Sequence, residues 1–129
     1  MTAIGGRILD SSAILAFVAG APYPSAVVWH AVVCNVVLAI PSAALAEAWA
    51  WSRPEDRDVL EVLLGLPVVV VVDELGAVVQ PPPGRHRREP PSAAHVVRRG
   101  RERPGWAIVT DRAAALRALD PDVEVDELP

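Results

Sequence analysis

The sequence predicts an α/β protein: a three-layer α/β/α sandwich around a central, mostly parallel sheet of roughly four or five strands. Three observations carry that expectation. Short apolar runs (Ile8-Leu9, Val37 to Ile40, Pro67 to Val72, Trp106 to Thr110) alternate with stretches of helical pattern, the order that repeated βαβ units produce. The run at Pro67 to Val72 is apolar at every position, as strands covered on both faces are. Turn or capping residues follow directly: Asp10-Ser11-Ser12, Pro41-Ser42 and Asp111.

A chain of 129 residues is one domain's worth, and we read 1–129 as a single domain with a Pro- and Arg-rich internal loop at 81–91. A hydrophobic fraction of 52% supplies ample core. No apolar run reaches the length needed to cross a bilayer. Ala13 to Ala21 matches a signal-peptide core in length, but an acid precedes it and Arg7 is its only basic lead-in. The expectation is therefore a cytoplasmic protein with no membrane partner. A single cysteine, Cys34, fits that compartment and excludes an internal disulfide.

The formal net charge of −4 argues against a general polyanion binder, yet it hides an asymmetry. Arg85, Arg87, Arg88, Arg98, Arg99, Arg101 and Arg103 fall in one short region, whereas the last ten residues are acidic. A basic patch on an acidic protein either steers a nucleic acid or is a solvated loop and helix face. Arg85, Arg87 and Arg88 are the candidate RNA-binding residues. All twelve basic residues are arginine. Without lysine, a phosphate-loop nucleotidase, which needs one, becomes a poor candidate. Receiver domains, haloacid-dehalogenase phosphatases and pyridoxal enzymes, which normally depend on lysine, become poor candidates.

In order along the chain, Ile8-Leu9 ends the first strand and Asp10 sits where it stops. Ser11 or Ser12 is placed to cap a short helix, Ala13 to Ala19. Gly20 to Pro24 breaks it, and Ser25 to Val36 forms the next. His30 and Cys34 share a face of that helix, but a zinc centre needs a third ligand, which is missing. After the strand at Val37 to Ile40, Ser42 to Trp51 is a helix rich in Ala and Leu. Pro54 and the acids Glu55, Asp56 and Asp58 suit the start of a helix that runs to Leu64. The valines to Val72 read as a strand in the middle of a parallel sheet, and Asp73 to Gln80 as a short helix. Ser92 to Arg103 is a helix with a basic end. The strand ending at Thr110, a helix at Arg112 to Leu119, a turn and a last strand at Val123 to Val125 complete the chain.

Three acids then hold equivalent places. Asp10 and Asp111 each follow a strand directly, and Glu47 lies one turn into the helix after another. Glu47 is the only charged residue between Asp10 and Arg53. An acid in so apolar a helix either faces water or meets a cation. Parallel strands deliver their ends to one side of the sheet. Carboxylates gathered there repel one another unless a cation joins them. Mg²⁺ or Mn²⁺ prefers such oxygen ligands, activates water and stabilises charge on a phosphodiester.

Here the sequence resembles a known family. Ile8-Leu9-Asp10-Ser11-Ser12-Ala13-Ile14-Leu15-Ala16 is similar to the opening of a PIN domain, especially the VapC-like toxins of bacterial toxin–antitoxin pairs. Leu45-Ala46-Glu47 resembles that family's second acid, and Ala107-Ile108-Val109-Thr110-Asp111 its late strand ending in Thr and an acid. Leu119 to Val125 resembles its last turn and strand. The resemblance spans the chain in the right order. It implies a Mg²⁺- or Mn²⁺-dependent endoribonuclease that hydrolyses RNA with metal-activated water, is homodimeric and is held by an antitoxin protein. Asp10, Glu47 and Asp111 become the catalytic metal ligands, with Ser12 and Thr110 as hydroxyls that fix them.

One position departs from the pattern. Where the family has a third acid at the start of the helix before the late strand, this chain has Ser92, followed by Ala93-Ala94-His95. Glu89 is the nearest acid, beyond Pro90 and Pro91, and either reaches in or the site has lost a ligand. The second expectation is therefore a PIN-like domain with a degraded acidic site, which binds RNA or a protein partner without cleaving. A third is a structural α/β domain whose acids are helix caps.

Overall fold

The computed structural model describes residues 5–72 and 91–129. Five strands form one all-parallel sheet in the order β3-β2-β1-β4-β5. These are β1 (Gly6–Leu9), β2 (Val37–Pro41), β3 (Val69–Val72), β4 (Ala107–Thr110) and β5 (Val125–Glu127). Among the described residues six α-helices accompany them: α1 (Ser11–Val18), α2 (Pro22–Cys34), α3 (Ser42–Trp51), α4 (Arg57–Leu64), α5 (Pro91–Glu102) and α6 (Ala113–Leu119). This is the α/β/α sandwich the sequence predicts.

Alternation along the strands builds two cores. Leu9, Leu38, Ile40 and Val109 point to one face, where α1, α2 and α4 cover them with residues such as Ile14, Val28 and Leu60. Ile8, Ala39 and Ile108 point to the other, beneath Val96 and Val97 of α5 and Leu116 of α6. Alanines among the core residues, Ala13, Ala31, Ala44, Ala48 and Ala93, let the helices approach the sheet closely. Gly6 shows the limit, because a Cβ there would lie 2.6 Å from the Trp106 ring. α3 contributes Ala48 to the first core and Ala44 to the second, and packs against both α1 and α5. It thus lies over the carboxyl ends of the strands.

The chain runs outward from β1 to β2 and β3, then returns to lay β4 on the other side of β1. That reversal between β1 and β4 is the switch point at which open α/β sheets leave a crevice.

Several expectations are corrected. Asp10, not Ser11 or Ser12, caps α1: its side chain accepts from the Ser11 N–H and the helix begins at once. α2 starts at Pro22 rather than Ser25, because a proline suits the first helical position. Ser25 lies inside the helix, where its hydroxyl donates to the Ala21 carbonyl at 2.8 Å. α2 ends at Cys34, where Asn35 takes the left-handed conformation (φ 57°). Among the described residues β3 is an edge strand and not a central one, with Val70 and Val71 about half exposed. A run of valines is equally at home on either kind of strand. β5 begins at Val125, two residues late, because an Asp120-to-Val123 turn extends the connection. Pro91 belongs to α5. The Asp73 to Gln80 helix lies outside the described residues, as does the rest of the 81–91 loop.

Among the described residues no single helix is long and apolar enough to cross a membrane; α1 and α2 reach that length only together, bent by 98°.

At the amino ends of the strands Arg7, Tyr23 and Asp126 tie β1, α2 and β5 together. The Tyr23 hydroxyl donates to the Asp126 carboxylate at 2.6 and 2.7 Å, and Arg7 pairs with the same group. Hydrogen bonding to Asp126 raises the Tyr23 phenol above its ordinary value of 10.0, with burial and the Asp126 charge acting in the same direction. The folded protein thus holds this proton more tightly than the unfolded chain. Its stabilisation is complete below pH 10.0 and is lost as pH rises through the folded-state value. Tyr23→Phe should lower stability by about 1 kcal/mol at neutral pH. It should also flatten the alkaline fall in the urea midpoint, as followed by circular dichroism.

Candidate functional site

At the β1–β4 switch point the structure gathers side chains from five segments. Asp10 leaves the end of β1 and is completely buried. Thr110 closes β4 and is also completely buried. Glu47 comes from α3, Ser92 from the first turn of α5, and Arg112 from the turn between β4 and α6.

Asp10 accepts four hydrogen bonds. Its Oδ1 takes the Ser11 N–H at 2.8 Å and the Arg112 Nη2 at 2.6 Å. Its Oδ2 takes the Thr110 hydroxyl at 2.7 Å and the Arg112 Nε at 2.7 Å. The guanidinium is therefore bidentate on the carboxylate, the strongest common form of this pair. Arg112 Nη2 also donates to the Ser92 Oγ at 2.9 Å, and Nη1 stands 3.8 Å from Glu47 Oε1. Glu47 in turn accepts from the Ser11 hydroxyl on Oε1 at 3.0 Å and from the Ser92 hydroxyl on Oε2. The result is a connected network with one cation among two carboxylates.

The local backbone explains why Arg112 enters and Asp111 does not. The Asp111 N–H donates to the Ser12 Oγ at 3.0 Å, and the Arg112 N–H to the Thr110 Oγ1 at 3.0 Å. These bonds hold the turn so that the second residue after the strand leads into the pocket. Asp111 is exposed. Its hydroxyl-bearing neighbours thus serve the turn and the cap. Asp10's hydrogen bonds raise the Arg112 guanidinium above its ordinary value, and the charges of Asp10, Glu47 and Asp111 add to this while burial opposes it.

Of the residues singled out in the sequence, the structure brings together Asp10, Glu47, Ser92 and Thr110. It places Ser12 beside them on the turn and leaves the Asp111 carboxylate at the surface. Glu89 and Arg85, Arg87 and Arg88 lie outside the described residues. His95 does not reach out as a ligand; its Nδ1 accepts from the Ala43 N–H at 3.3 Å and so docks α5 on the start of α3. His30 and Cys34 meet at 3.5 Å on the exposed face of α2. Ser11 and Arg112 were missed as site residues. The signal for Arg112 was present: Glu47 needed a cation, and Arg112 stands two positions beyond a strand that parallel pairing puts beside Asp10.

Among the described residues, the Asp10 carboxylate has no free position left for Mg²⁺ or Mn²⁺. A carboxylate has about four lone-pair positions, and Asp10 uses four on donors. Among the described residues no group of three His, Cys, Asp or Glu side chains is placed to hold a metal. Two cavities of about 460 and 410 Å³ lie elsewhere, at the amino ends of the strands beside Trp106 and Arg7.

Removing one partner of a buried ion pair strands the other. Asp10→Ala should therefore cost about 3 kcal/mol in urea unfolding. Combining it with Arg112→Met should cost clearly less than the two single losses added together, and simple additivity would show that the pair is not coupled.

Comparison with known proteins returns no match: no family model, no curated protein and no solved structure matches the chain.

Proposed function

We propose that the chain is a PIN-like α/β domain that binds a protein partner, a second copy being the simplest, and does not cleave RNA. The observation that supports this reading is the Arg112 guanidinium, bidentate on Asp10 and bonded to Ser92, with only Asp10 and Glu47 of the described acids joined to that network. A hydroxyl does not replace the charge of a carboxylate. Among the described residues no third acid joins this network, which supports reading the pocket as one without the metal-activated water of a metal-dependent ribonuclease.

Protein binding is favoured by α2. Its thirteen residues, PYPSAVVWHAVVC, carry no Asp, Glu, Lys or Arg. Its outer face is uncharged, and there Trp29 is 51% and Val33 84% exposed, a combination that favours a covering partner. Val62 of α4, on the same side of the sheet, is 59% exposed. Nucleic-acid binding is less favoured by the described arginines at the end of α5, three of which have partners within the chain. Arg99 pairs with Glu102 at 2.9 Å, Arg101 with Asp120 at 2.8 Å, and Arg103 lies over the Trp106 ring at 5.6 Å.

Two measurements test the reading. Single-stranded RNA incubated with the protein and Mg²⁺ or Mn²⁺ should remain intact; cleavage that Asp10→Asn abolishes would sink the non-cleaving reading. In sedimentation velocity the protein should exceed monomer mass at roughly tens of micromolar, the range of an ordinary apolar interface, and Val33→Glu should return it to monomer. A wild type that stays monomeric and is indifferent to Val33→Glu removes self-association from the proposal.

A further inference from the structure

We propose that Arg112 is the resident counter-ion of the Asp10 pocket, holding by covalent tether the place of the divalent cation that the sequence resemblance implies, and that it keeps such ions out. This inference rests on the non-cleaving reading but says more: a domain can fail to cleave and still bind metal.

The geometry argues for exclusion rather than mere vacancy. The guanidinium covers both Asp10 oxygens at 2.6 and 2.7 Å. Ser11 N and the Thr110 hydroxyl take the remaining directions. An entering ion would have to displace at least one charge-assisted hydrogen bond in a fully buried place, where such a bond is strong. It would also have to push a guanidinium aside that has Asp10, Glu47 and Ser92 as its partners. A departing Arg112 would lose all three at once.

Charge and tethering act in the same direction. Asp10, Glu47 and Arg112 together carry one negative charge, half of what the two carboxylates alone would offer an approaching cation. The tethered group sits at a high effective concentration, so a free ion at millimolar level competes with a partner that never diffuses away. The backbone adds to this, because the Arg112 and Asp111 N–H groups are both fixed on neighbouring hydroxyls at 3.0 Å. The side chain therefore starts from a point already aimed at Asp10, and little conformational freedom remains to be lost on pairing.

The shape of the guanidinium matters as well as its charge. Its planar fork meets the two oxygens of one carboxylate side by side and still leaves donors for Ser92 and Glu47. A hard cation would instead demand six oxygens at near-octahedral angles. The pocket's fixed donors, a backbone N–H and a hydroxyl, are arranged for the fork.

The test is unfolding with and without Mn²⁺ on the wild type, on Arg112→Gln and on Arg112→Gln/Asp10→Asn. The wild type should show no Mn²⁺-dependent change in Tm. Arg112→Gln should be less stable in chelator and should gain about 5 °C at Mn²⁺ ten times its Kd. The double variant should lose that gain. A folded Arg112→Gln that ignores Mn²⁺ would overturn the inference, and so would a wild type that responds as strongly as the variant. If Arg112→Gln does not fold, the wild type alone decides by NMR: the Arg112 Nε–H signal should stay sharp in Mn²⁺, and selective broadening of it would show the ion inside. Failure here is separable from failure of the functional reading. RNA left intact together with a metal-indifferent Arg112→Gln sinks only the exclusion, whereas cleavage dependent on Asp10 sinks both.

Discussion

The Asp10–Arg112 ion pair is the interaction on which the rest of the site depends. Burying Asp10 completely at the end of the central strand is tolerable only because four donors surround it. Those donors come from the start of α1, the end of β4 and the turn before α6. Through Ser92 and Glu47 the same network reaches α5 and α3. A pair of this kind is a weak source of net stability, since desolvation offsets most of the attraction. Its greater effect is to specify geometry. It joins the turn before α6, the first turn of α5 and one face of α3 at a single point.

Most of the architecture was legible because periodicity and capping agree along the chain. β1, β2 and β4 are short apolar runs ended by an acid, a proline or a Thr-Asp pair, and each has its strand. α3 and α5 also fall where helix propensity and pattern put them. The edge position of β3 was not legible, because an apolar strand does not encode its neighbours. The late start of β5 depends on a turn held by Asp120, whose N–H and carboxylate contacts involve Leu116, Asp122 and Arg101. The turn itself is local and legible; how far it extends also depends on the distant Arg101, which no local pattern announces.

The site was legible by half. Asp10 and Glu47 follow from isolated acids in apolar sequence. The choice between Asp111 and Arg112 does not, because adjacent residues leaving a strand point in different directions, and two side-chain hydroxyls decide which turns inward. Ser12 and Thr110 are those hydroxyls. Their role in the turn connects local hydrogen bonding to the chemical character of the pocket: one residue of difference at a strand end exchanges a carboxylate for a guanidinium.

The separation of the pair along the chain has a consequence for synthesis. Asp10 and Arg112 lie 102 positions apart. During translation the β1–β2–β3 half of the sheet leaves the ribosome long before its counter-charge does. Until residue 112 emerges, Asp10 must stay hydrated, and the central strand cannot be sealed between its two neighbours. Cotranslational folding of this domain is therefore held open at its middle, and closure waits for the late β4 segment that brings both the missing strand and the missing charge.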